Sequence, residues 1–201
     1  MSGPASAHSP AAERNRIPIG QVLCRWLAPD ARVLEIGSGT GQHAAWFHAL
    51  LPGADWQASE MPENLDALRA RLAEEAPSLP EPVSLDVMTP GDWPDGERDA
   101  VFTANTLHIM PWDHTPALLQ AAAERVVDGG VLVIYGPFRD GERFDAESNR
   151  HFDQQLRHRD PAMGIRDVLE VRRLAADAGW VAEAEIAMPA NNRLLIFRKS
   201  E

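Results

Sequence analysis

Cysteine is nearly absent: Cys24 is the only one in 201 residues. That excludes an internal disulfide and a cysteine-built zinc site, and it fits a reducing compartment. Long apolar runs are missing too, since no stretch approaches the roughly 18 apolar residues of a membrane span. Residues 1–10 are small and polar and lack the apolar core of a secretory signal. Basic charge is in deficit, with 19 Lys and Arg against 30 Asp and Glu and a formal charge of -11. A surface of that sign repels phosphate backbones and anionic lipid, which disfavours nucleic acid and membranes as partners. Metal-binding spacings are lacking as well. His43 and His48 do not share a helical face, and His151 and His158 lie two turns apart, so no metal site is expected. The expectation is a soluble, cytoplasmic chain.

What is present is ordinary for a soluble domain: 44% apolar and 24% charged residues, at a length that suits one domain with a full core. Residues 1–12, rich in Ser, Pro and Ala, are expected to be disordered, leaving a single domain over 13–201. From Glu13 the pattern turns helical, with Ile17, Val22, Leu23, Trp26 and Leu27 at helical spacing and Pro18 in the first turns. Cys24 within it reads as a small buried hydrophobe.

Strand patterns at 31–36, 54–59, 82–85, 99–104 and 129–136 then alternate with helical patterns at 43–51, 63–76 and 116–127. Further helices are expected around 145–158 and 167–178. The last two strands, 180–188 and 192–199, are joined by three residues, too few for a crossover, so they form an antiparallel hairpin. Alternation of this kind predicts an α/β fold: a Rossmann-like, seven-stranded, mostly parallel sheet with helices on both faces.

The first strand runs into Glu35-Ile36-Gly37-Ser38-Gly39-Thr40-Gly41-Gln42-His43, and a helix follows. Glycines there permit a sharp turn and let a ligand approach bare backbone, while the helix start offers unpaired N–H groups. A dinucleotide fingerprint needs a third small residue where Gln42 stands, which weakens an NAD-dependent reading. The G-x-G-x-G spacing, preceded by Glu35, instead resembles the first motif of Rossmann-like S-adenosylmethionine-dependent methyltransferases. A plain turn is the bland alternative. Glu60, at the end of the second strand, can accept hydrogen bonds from both ribose hydroxyls, although an acid before Met61-Pro62 also suits a helix start. Asp86, after the third strand, occupies the place where the resemblance implies contact with the adenine amino group; a turn-forming Asp is its alternative. Glu35, Gly37, Ser38, Gly39, Gly41, Glu60, Asp86 and Asn105 are the cofactor candidates.

The fourth strand ends in Asn105-Thr106-Leu107-His108-Ile109-Met110-Pro111-Trp112. Ligands of doubly wound sheets sit beyond the carboxyl ends of strands, so Asn105 and His108 are candidate catalytic residues. The resemblance implies that this segment borders the sulfonium and the methyl acceptor. An imidazole titrating near pH 6.5 suits a general base, whereas a histidine packed beside Met110 and Trp112 is equally a structural group. Arg14 and Asn15, ahead of the first apolar helix, are candidates to meet the cofactor carboxylate or the acceptor. Trp112, Phe138 and Arg139 are further substrate candidates. Arg139, Asn149, Phe152 and Arg166 could line a pocket for a small anionic acceptor, with ordinary surface pairing among Arg143, Asp145, Arg157 and Asp160 as the alternative.

Residues 9–16, the loop VLEIGSGTGQH, residues 105–112 and Tyr135-Gly136-Pro137-Phe138 together resemble the methyltransferase-like 26 family, also known as domain of unknown function 938. The similarity continues through Ser148-Asn149, Phe152-Asp153 and residues 164–167. It implies a class I methyltransferase fold, S-adenosylmethionine as cofactor and in-line transfer to a small-molecule acceptor, without specifying that acceptor. A regulatory protein that binds the cofactor without transferring methyl groups is the alternative. The acceptor atom and the oligomeric state are not legible in the sequence.

Overall fold

The computed structural model describes residues 8–200. Helix α1 (Pro10–Trp26) leads into β1 (Arg32–Ile36), α2 (Gln42–Leu50), β2 (Asp55–Glu60), α3 (Leu65–Glu75), β3 (Val83–Ser84) and β4 (Arg98–Ala104). Then come α4 (Thr115–Arg125), β5 (Val126–Gly136), β6 (Phe138–Asp140), β7 (Arg143–Phe144), α5 (Glu147–Arg159), β8 (Arg166–Asp167), α6 (Val168–Asp177), β9 (Trp180–Met188) and β10 (Asn192–Lys199).

The main sheet has seven strands in the order β3-β2-β1-β4-β5-β10-β9, with β10 antiparallel to both its neighbours and the others parallel to one another. This is the expected Rossmann-like architecture with its terminal hairpin. Period-2 alternation buries both faces of the central strands, as a covered parallel sheet requires. Val131, Val133 and Tyr135 of β5 join the core under α1, α2 and α3, while Leu132 and Ile134 join the core under α4 and α6. Phe47, Trp56 and Phe102 meet at ring separations of 5.3–5.9 Å in the first core. Each such buried side chain contributes about 1.5–3 kcal/mol.

Helix α1 starts at Pro10 rather than Glu13, because Ser9 caps it: the Ser9 hydroxyl accepts the Ala12 N–H at 3.3 Å, and proline suits the first helical position. The expected disorder of residues 1–7 lies outside the described residues. The earlier start moves Pro18 into the helix interior, where it cannot donate to the Arg14 carbonyl. Ile17 and Cys24, both expected inside, are exposed on the solvent side of α1; the buried stripe is Ile19, Val22, Leu23 and Leu27.

A second sheet, β7-β6-β8, was not anticipated. It is anchored by Arg193 of β10, whose largely buried guanidinium donates to Asp140 of β6 (2.7 Å), to Asp145 just beyond β7 and to Glu185 of β9 (2.9 Å). Asp140 and Asp145 hold the guanidinium far above its usual titration range. Removing one member of such a cluster strands the others. Arg193→Met is expected to lower unfolding free energy by about 2–3 kcal/mol in urea titration, discounting for the partly exposed acids. A change under about 0.5 kcal/mol, the range of ordinary surface substitutions, would show that the cluster does not anchor the sheet.

Candidate functional site

Because β1, β2, β4 and β5 run parallel, their carboxyl ends and the loops after them share one edge of the sheet. The chain goes from β1 to β2 on one side and later to β4 on the other, so the loop after β1 lies where strand order reverses. Gly37, Gly39 and Gly41 all have left-handed φ, at 69°, 57° and 77°. Space separates their roles. A Cβ on Gly37 would fall 2.9 Å from the Thr106 hydroxyl, and one on Gly41 2.8 Å from Leu68 of α3. Around Gly39, by contrast, no described residue comes within 4 Å of that position. The outer glycines let the loop pack on its neighbours, whereas the middle one presents backbone to open space.

Glu60 lies beside that opening. One carboxylate oxygen accepts the Gly39 N–H at 2.6 Å and the other the Met61 N–H at 2.9 Å. Ser38 serves the loop itself, donating its N–H to the Ser59 carbonyl (2.8 Å) and accepting the Ser59 N–H on its hydroxyl (3.2 Å). Glu35 points into the core under α2, only 1% exposed, and accepts the Trp56 indole N–H at 2.9 Å. Burial pushes its carboxyl up to about 7; the indole and the nearby Ser38 hydroxyl pull the other way. Ser38 and Glu35, both expected to touch a cofactor, thus brace the loop from behind. Asp86 is half-buried after β3 and accepts the Met88 N–H at 2.9 Å, the turn geometry named as its alternative. Gln42, in the third-glycine position of a dinucleotide site, accepts the Ser9 N–H at 2.6 Å and so secures α1.

At the end of β4, Asn105 takes a left-handed φ of 61° and donates its N–H to the Tyr135 carbonyl at 2.8 Å. A non-glycine residue held there is a mark of local strain, tolerated best by Asn. His108 is 5% exposed, with its ring edge-on to Phe152 at 5.5 Å and its carbonyl accepting the Gly164 N–H at 3.0 Å. Burial, helped by Arg166, lowers its pKa to about 4. That corrects the expectation of an imidazole titrating near neutrality: His108 is neutral at pH 7 and weakly basic.

Helix α1 adds a buried polar group. His43 at the start of α2 donates Nε2–H to Asn15 Oδ1 at 2.6 Å and stacks on Phe47 at 5.4 Å, and its burial depresses its pKa to about 4. Asn15 and Asn192 also adjoin the Tyr135 hydroxyl, whose pKa burial raises, with Arg14 nearby. Asn15 is therefore buried, while Arg14 is exposed. The remaining substrate candidates divide. Phe138 is 1% exposed and packs into the core under α6. Asn149 is a buried strut donating to the Asn191 carbonyl at 3.0 Å. Trp112 and Arg139 line a separate cavity of about 450 Å³ with Arg157, Ile165 and Arg166, which shares no lining residue with the glycine loop.

The sequence family described as "Protein of unknown function (DUF938)" matches residues 6–199. The chain belongs to the DUF938 family. Its fold is similar to that of an O-methyltransferase family protein from Burkholderia thailandensis, with a TM-score of 0.80 and 21% identity over 95% of this chain and 58% of that one. It is also similar to mitomycin 7-O-methyltransferase (TM-score 0.76, 22% identity, 92% and 54% covered). Human N-acetylserotonin methyltransferase, solved in complex with S-adenosylmethionine, is a third (TM-score 0.73, 18% identity, 90% and 52% covered). The DUF938 chain spans a little over half the length of these proteins, and at such identities the likeness establishes the class I methyltransferase fold.

Sequence reasoning missed His43, Tyr135 and Asn192 in this DUF938 chain. The available signal was Tyr135, the sole tyrosine, at the carboxyl end of the strongest strand. Among the described residues no three His, Cys, Asp or Glu side chains converge as a metal site would need, and no helix is long and apolar enough to cross a membrane.

Two outcomes follow. Between pH 4.5 and about 7 folded Glu35 keeps a proton that the unfolded chain releases, so its contribution to stability declines as pH rises through that window. Glu35→Gln retains an acceptor for Trp56 but never ionises, and urea titrations should show it gaining on the parent by about 2–3 kcal/mol between pH 4.5 and pH 8. An equal difference at both pH values contradicts the raised pKa. Second, Asn tolerates left-handed backbone, so Gly39→Asn should fold nearly as stably as the parent, while Gly37→Asn should be worse by about 1–3 kcal/mol through overpacking against Thr106. Equal thermal stabilities would refute the distinction between the two glycines.

Proposed function

We propose that this DUF938 chain is a cytoplasmic, S-adenosylmethionine-dependent methyltransferase acting on a small-molecule acceptor. The observation that carries the reading is the open backbone at Gly39 with the Glu60 carboxylate beside it, at the strand-order reversal of this fold. The O-methyltransferases that share the fold, and the narrower resemblance to methyltransferase-like 26 proteins, support the same activity. When bound, the cofactor supplies an electrophilic methyl group on a sulfonium.

The chain's own residues then do the following. Glu60 would accept from the ribose hydroxyls, and Asp86 from the adenine amino group. Gly37, Gly39 and Gly41 shape the cradle, with Ser38 and Glu35 holding it from within. Asn105 and His108 would border the methyl group and the acceptor, and Arg14 and Asn15 would approach from α1. A neutral His108 with a pKa near 4 removes an acceptor proton only weakly, so alignment and exclusion of water carry most of the rate. The same depressed basicity favours the second reading, a protein that binds the cofactor without turning it over.

Isothermal titration should show S-adenosylmethionine and S-adenosylhomocysteine binding and NAD failing to bind. Glu60→Ala should weaken cofactor binding by about 1.5–3 kcal/mol, and an unchanged affinity rejects the ribose assignment. Incubation with methyl-labelled cofactor and a cell-extract metabolite pool should label one small-molecule fraction; a pure binder leaves every fraction unlabelled.

A further inference from the structure

The cavity beside Trp112 has the volume of a small-molecule site, about 450 Å³. Its most buried charged wall is Arg166, 6% exposed, which donates to the carbonyls of Leu107 (2.8 Å), Met110 (2.7 Å) and Ala162 (2.7 Å). All three partners are neutral, and among the described residues no carboxylate lies within ion-pair distance of this guanidinium. Arg139 and Arg157 line the same space, Arg139 with Asp167 at 3.8 Å and Arg157 with Asp153 at 2.8 Å. A buried cation is ordinarily matched by an anion, and here the protein supplies none in contact. Burial, then Arg157 and Arg139, lower Arg166 to about 10 against the opposing pull of the Asp153 carboxylate, which is itself paired with Arg157 at 2.8 Å.

We infer that this cavity binds a small molecule bearing a carboxylate or phosphate group, whose anionic oxygens complete the charge of Arg166 between Arg139 and Arg157. The remaining wall sets the size and shape of the ligand. Trp112, with the Arg166 guanidinium 5.3 Å from its ring centroid, joins Pro161 and Ala162 as an apolar surface for the body of the molecule. Asp113, Asp167 and Glu170, also on the lining, repel extended polyanions and restrict the site to one compact anionic group. Trp112 and Arg139 thereby receive a ligand of their own, away from the glycine loop, and the inference stands independently of methyl transfer.

The test is isothermal titration of the full chain with sodium benzoate and, separately, inorganic phosphate, in Tris chloride at low ionic strength. At least one probe should bind saturably with one site, benzoate marking a carboxylate ligand and phosphate a phosphorylated one. Arg139→Gln and Arg157→Gln, each checked for a parent-like melting curve, should weaken that binding tenfold or more. Arg166 also holds the 107–112 segment, so these two variants, and not its own replacement, carry the test. Absence of saturable binding by both probes at millimolar concentration, or binding indifferent to both substitutions, overturns the inference.

Discussion

The hydrogen bond from the Gly39 N–H to the Glu60 carboxylate, 2.6 Å long, joins the loop after β1 to the end of β2, and the rest of the site is arranged around it. It exists because β1 and β2 pair in parallel with Glu35 opposite Ala58, which brings both carboxyl ends to one edge. From the other side, β4 pairs with β1 so that Thr106 sits against Gly37. The loop is clamped on both flanks and bare in the middle. A ligand with hydroxyls can compete for the same carboxylate, since an ionised carboxylate accepts several hydrogen bonds at once.

The protein also buries several ionisable side chains, and burial pushes each of them toward its uncharged form. Glu35 keeps a proton up to about pH 7, while His43 and His108 shed theirs down to about pH 4. All three are therefore largely or partly uncharged near pH 7, which keeps the interior under the loop close to neutral. Arg166 cannot follow them, because a guanidinium stays protonated at any physiological pH. It remains the one of these four that carries a full charge inward.

The strands, the hairpin and the glycine loop were legible because their signals are local: alternating apolar runs, a three-residue connection and three glycines at fixed spacing. The sheet β7-β6-β8 was not, because strands of two or three residues have no period to read. Phe138 follows β5 where a site residue would, yet its side chain turns into the core under α6. Asn15, His43 and Tyr135 are far apart in sequence, and a histidine or asparagine on a helix carries no mark of a buried partner. Trp112 and Arg139 read in the sequence only as substrate candidates, and it takes the three-dimensional arrangement to bring them to one cavity that shares no lining residue with the loop.

The measurement that bears most directly on this account is a crystal structure of the chain grown with S-adenosylhomocysteine. The account requires the nucleoside against the bare backbone at Gly39, with its ribose hydroxyls on the Glu60 carboxylate. A cleft without ligand at saturating concentration, with Glu60 still closed on the Gly39 N–H, would contradict it.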